Sequence, residues 1–133
     1  MENLVEEQNI VRKDWRSIKL SFALVYPNIY QLGMSSYSLH LLYSLLNSRK
    51  DVVCERFFLP EKIRYPASID NNIRIGDIFS VENRIRLKEF DVIGFSIQFE
   101  NDYKNILWIL DAANIPLRSE DRFNKSKEQK EIY

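Results

Sequence analysis

The sequence predicts an α/β fold, Rossmann-like or flavodoxin-like, in three layers around a mostly parallel sheet of about four strands. Three observations carry this. The runs 19–26 and 91–100 are nearly continuous in apolar residues rather than alternating, as in parallel strands covered by helices on both faces. Each is followed by a polar turn and then by apolar residues at helical spacing, Leu39, Leu42, Tyr43 and Leu46 in one case and Tyr103, Ile106, Leu107, Leu110 and Ala113 in the other. The order strand, helix, strand, strand, helix suits a layered α/β domain.

Length and composition bound the answer. A chain of 133 residues supports one core. Apolar residues make up 45% and charged residues 29%, a globular balance. Nineteen basic and 19 acidic side chains cancel, so no basic footprint for nucleic acid exists. No apolar run reaches the roughly 20 residues of a membrane span, and the acidic start Met1–Glu7 is unlike a signal peptide. The expected location is the cytoplasm. One cysteine, Cys54, excludes an internal disulfide and a cysteine-built cluster within one chain.

In chain order, residues 1–18 form a polar arm. Val11, Trp15 and Ile18 suggest a short amphipathic helix in it, with Trp15 as a packing anchor. Residues 19–26 form the first strand, closed by Pro27 and Asn28. The loop from Ile29 leads to Ser35 and Ser36, which are N-cap residues for a helix over 36–48. His40, the only histidine, lies off the buried stripe and has no acidic or cysteine partner nearby in sequence, so it is read as a half-buried or solvent-side residue. Residues 52–59 form the second strand, stopped by Pro60, with Cys54 as a small buried hydrophobe.

Pro60, Pro66, Asn71, Asn72 and Gly76 break the next segment. A short third strand is expected at 78–81 and a helical turn at 86–90, with Arg84, Arg86, Lys88 and Glu89 as a solvated face. The strand 91–100 contains Gly94, where something should approach the backbone closely. Asn101 or Asp102 caps the last helix, which Asn114 and Pro116 end, and Trp108 falls off its stripe. The domain is thus 1–117, followed by a charged tail or linker at 118–133.

If the strands 19–26 and 91–98 are parallel neighbours with their helices on opposite faces, a crevice opens at their carboxyl ends, where ligands bind in such sheets. Tyr26, Asn28, Gly33, Ser35, Ser36, Gln98 and Glu100 are the expected lining. The chain lacks G-x-G-x-x-G, G-x-x-x-x-G-K-[ST] and H-E-x-x-H, and Ser35 and Ser36 do not form a G-x-S-x-G elbow. A hydrolase reading therefore has no base to support it.

Three stretches together resemble a family of radical SAM proteins with an N-terminal cobalamin-binding-like domain. They are Phe22-Ala23-Leu24-Val25-Tyr26-Pro27-Asn28-Ile29-Tyr30-Gln31-Leu32-Gly33-Met34-Ser35 with the leucine-rich helix after it, Asp91-Val92-Ile93-Gly94-Phe95-Ser96-Ile97-Gln98-Phe99-Glu100, and Ala113-Asn114-Ile115-Pro116-Leu117-Arg118. The resemblance covers about residues 10–122. It implies a Rossmann-like module attached to a radical SAM barrel that binds a [4Fe-4S] cluster and S-adenosylmethionine. The family's C-x-x-x-C-x-x-C and the D-x-H-x-x-G of base-off cobalamin domains are both absent, so those cofactors belong to a separate downstream domain and cobalamin is disfavoured here.

The expectation is a non-catalytic module that binds a ligand or docks on a radical SAM domain, in cis or in trans, without nucleic acid or membrane. The alternative is a flavodoxin-like binder of a nucleotide or small phosphate at the N-terminus of the first helix. The sheet is expected to be incomplete, with an open apolar edge on the strand Val92–Phe99 that self-associates or is captured by the missing partner.

Overall fold

The computed structural model describes residues 7, 10–60 and 78–123. Its centre is a three-stranded parallel sheet in the order β2-β1-β3: β1 is Leu20–Ile29, β2 is Val52–Leu59 and β3 is Val92–Phe95. A single helical turn, α1 (Tyr30–Gly33), leaves β1 directly. The helices α2 (Tyr37–Asn47) and α3 (Asp102–Ala112) follow β1 and β3.

The sheet separates two cores. On one face Leu24 and Tyr26 of β1 and Cys54 and Phe58 of β2 pack under Leu39 and Tyr43 of α2. On the other, Ala23, Val25, Phe57 and Leu59 pack against Ile109 of α3 and Ala113 just after it, together with Ile78, Leu87 and Phe90. Alternate residues of β1 therefore serve opposite layers, as the period of a strand requires. All eight residues of β2 are buried.

Several sequence expectations change. Among its described residues the arm carries no amphipathic helix, only a 3-10 turn at Trp15–Ser17 capped by Asp14. Trp15 is nonetheless an anchor: its indole stands edge-on to Phe90, 4.9 Å between centroids. β1 continues through Pro27 to Ile29, and its register with β2 shifts between Tyr26 and Ile29. Pro27 lacks an N–H, so a break in the ladder is where a strand tolerates it. The segment 78–81 joins no sheet and makes only an antiparallel bridge, Phe79 to Arg86. Its backbone is instead turned against the edge of β2, with Val81 N donating to Arg56 O at 2.9 Å. β3 ends at Phe95, five residues earlier than the run 91–100 suggests. Leu42, placed on the buried stripe of α2 by its spacing, is 42% exposed. Pro66, Asn71, Asn72, Gly76 and the tail from 124 lie outside the described residues, while 119–123 are helical.

Both close-approach glycines are filled from within. A Cβ on Gly94 would meet the Phe22 ring at 2.7 Å, and one on Gly33 would collide with the Phe58 ring. Gly33 therefore lets α1 lie flat on the aromatic layer of the core.

Candidate functional site

The carboxyl ends of β1 and β3 do lie side by side, since Phe22 to Val25 pair in parallel register with Val92 to Phe95. Helices α2 and α3 leave on opposite faces. The segment after β3 forms an open depression of about 430 Å³, lined by Gln98, Phe99, Glu100 and Asn101.

The residues expected at this end fall into three groups. Gln98 and Glu100 line the depression. Gln98 Nε2 donates to Ser38 Oγ at 3.3 Å, and Ser38 Oγ lies 3.1 Å from Ser36 Oγ, so the chain after β3 is tied to the start of α2. Ser36 also caps α2, accepting from Leu39 N at 3.4 Å. Asn28 points the other way, donating through Nδ2 to Asp102 Oδ1 at 3.2 Å at the head of α3. Tyr26, Gly33 and Ser35 have structural partners: Tyr26 and Gly33 are buried with Phe58, and Ser35 Oγ donates to Leu32 O at 2.7 Å. Burial, and then the charge of Asp102, push the Tyr26 hydroxyl pKa up.

In the sequence Asp102 reads only as a candidate cap of the last helix. It is 2% exposed, and its Oδ2 has no hydrogen-bond partner among the described residues. Its place in the first turn of α3 lets the helix dipole stabilise the charge.

Two further charged residues sit where an apolar run hides them. Glu55 and Arg56 occupy the middle of the fully buried β2 and point to opposite faces. Glu55 is enclosed by donors alone: Ser80 Oγ at 2.6 Å, Asn83 N at 3.1 Å, Asn83 Nδ2 at 2.7 Å and Trp15 Nε1 at 2.7 Å. Arg56 donates to Glu82 through Nε at 2.8 Å, holds both oxygens of Glu7 at 2.8 and 2.9 Å, and lies 4.3 Å over the Tyr43 ring. Glu82 also accepts from Arg56 N at 2.9 Å. Burial raises the Glu82 carboxyl pKa, and Arg56 opposes that rise. The signal in the sequence was the pair itself, since charges inside a two-sided strand must find partners.

An iron–sulfur cluster does not fit the residues described. Cluster ligation needs several thiolates, and the single Cys54 is 0% exposed. His40 Nε2 donates to Met34 O at 2.7 Å, which commits the only histidine to a helix–loop contact. Burial pushes the Cys54 thiol up to about 12. Ellman's reagent should therefore leave Cys54 unlabelled in the native chain at about pH 8 and label it fully in denaturant; rapid native labelling would contradict this burial. No helix among the described residues is long and apolar enough to cross a membrane.

The chain is 30% identical over 88 residues to the uncharacterized protein MJ0966 of Methanocaldococcus jannaschii, a match that spans 66% of this chain and 15% of that protein. No solved structure matches. The family model for the N-terminal region of radical SAM proteins matches residues 38–127, from α2 past α3, so the chain belongs to the family of radical SAM N-terminal domains.

Proposed function

We propose that this chain is a non-catalytic module of a radical SAM system that docks on the radical SAM domain, with the carboxyl ends of β1 and β3 turned toward that domain's cofactors. The observation that carries the reading is the family match over residues 38–127, which spans α2, β2, β3 and α3. The chemistry of the side chains supports it. The depression is lined by amide, carboxylate and phenyl groups, suited to recognition, and the residues nearest it offer no nucleophile paired with a base.

The test is a binding measurement on the whole chain. Anaerobic reconstitution with iron and sulfide should leave it without a stoichiometric cluster, while a radical SAM polypeptide that carries its own cluster should bind it. Gln98→Ala and Glu100→Ala, both on the lining of the depression, should weaken that binding about tenfold without changing the fold. Stoichiometric iron and sulfide on the chain alone would overturn the reading. Tight binding of a nucleotide at the start of α2, with no affinity for the polypeptide, would favour a free-standing ligand binder.

A further inference from the structure

The two edges of the sheet are finished differently. Along β2 the outward backbone groups from Val52 to Arg56 are taken by side chains and a loop. Lys13 Nζ donates to Val52 O at 2.6 Å. The Asn47 amide satisfies both groups of Cys54, at 3.1 and 3.0 Å. Arg56 N donates to Glu82 and Arg56 O accepts from Val81 N, both at 2.9 Å. No further strand can add there without breaking these bonds.

β3 is the other edge. Asp91 N donates to Ser21 O at 3.1 Å, so Asp91 faces β1, and the alternation along a strand turns the backbone groups of Val92 and Gly94 outward. Among the described residues no strand pairs with that side. An unprotected edge of this kind is a template for another strand.

An apolar surface continues from it. Val92 is 38% exposed, and on α2 Leu42 and Leu45 are 42% and 57% exposed. The bond from Gln98 to Ser38, one turn before Leu42, places this flank of α2 on the β3 side. Asn47, bonded to Cys54, places the opposite flank over β2.

We propose that this edge and leucine flank form the docking surface for the polypeptide that follows the domain in radical SAM proteins. That polypeptide would supply a strand parallel to β3 and an apolar helix face against Leu42, Leu45 and Val92. The inference rests on the module reading above and adds where the partner binds. Two features select this occupant. The stretch matched in the Methanocaldococcus relative is 15% of that protein, and the family is an N-terminal one, so a long polypeptide follows the equivalent domain there. The chain direction also favours it. α3 lies on the face opposite α2, β1 already fills one side of β3, and a right-handed crossover through α3 delivers the next strand to the free side.

Amide hydrogen exchange on the 133-residue chain tests this. The probe is the region of the Methanocaldococcus relative that follows its matched stretch, added in trans and also fused after Tyr133 to raise its effective concentration. Alone, the Val92 and Gly94 amides should exchange quickly. With the probe they should slow by about tenfold or more. Val92→Pro, which removes an outward N–H, and Leu45→Lys should each abolish that protection while melting as the parent chain does. Binding that leaves Val92 and Gly94 unprotected would overturn the inference and leave the module reading intact. No binding in either format would overturn both. A homodimer that protects these amides and excludes the probe would assign the edge to a second copy and overturn the inference.

Discussion

Replacing Arg56 with methionine should lower the unfolding free energy by about 3–5 kcal/mol, measured by urea denaturation. Arg56 is 2% exposed and, among the described residues, is the only cation paired with the carboxylates of Glu82 and Glu7. Glu82 is 4% exposed and cannot rehydrate in place. Its removal strands a buried carboxylate, which costs far more than the pair contributes as a pair. Substituting Glu82 by leucine as well should recover most of the loss, because apolar groups of similar volume have no charge to desolvate. The pH dependence carries a sign. Burial holds Glu82 above its usual carboxylate pKa, so folding takes up a proton in the window between the unfolded and folded values. This group's contribution therefore falls as pH rises through that window. Without Arg56 the folded value rises further, and the gap between variant and parent should narrow on acidification towards about pH 5. A loss below about 1 kcal/mol, or a gap that widens with acid, would show that Glu82 is solvated.

The same residues show where the sequence was legible. β1, α2 and α3 follow from long apolar runs and helical spacing, because each element reports its own burial period. The pairing of β1 with β3 follows from the alternation of strand and helix. What local pattern could not report is tertiary. Residues 78–81 read as a strand by composition, yet their role is to cover the edge of β2, and only Glu82 and Ser80 reaching Arg56 and Glu55 reveal it. Val11, Trp15 and Ile18 have helical spacing, but the arm is held extended by contacts distant in sequence. Val11 N donates to the Tyr43 hydroxyl at 2.8 Å, and Arg12 Nε donates to Glu82 O at 2.9 Å. At the candidate site, Gln98 and Ser36 meet through Ser38 because β3 stops at Phe95 and frees the chain to turn toward α2. Strand direction alone puts Tyr26 and Gly33 at this end of the sheet, but it does not distinguish a lining residue from one beneath an aromatic layer.

Glu55→Ala should be the second severe lesion, at about 3 kcal/mol or more. Glu55 is 0% exposed and, among the described residues, has no cation beside it; its carboxyl group accepts from four donors of three residues. Those donors belong to two separate segments, Trp15 of the arm and Ser80 and Asn83 of the strip that covers β2. Loss of the carboxylate leaves the indole N–H, the Ser80 hydroxyl and both the backbone N–H and the side-chain amide of Asn83 without this acceptor, and opens a cavity in the core. Both segments should loosen together. In a Trp108→Phe background, Trp15 fluorescence should shift to the red, and proteolysis should begin near 80–83 at denaturant concentrations that spare the parent. Glu55→Gln is the informative control. The amide keeps the volume and one acceptor but turns an NH₂ toward donors that needed an oxygen, so it should cost about 1–3 kcal/mol with the same two segments affected. If Glu55→Ala stays within about 0.5 kcal/mol of the parent, or if only one segment loosens, Glu55 is not the post to which both are tied.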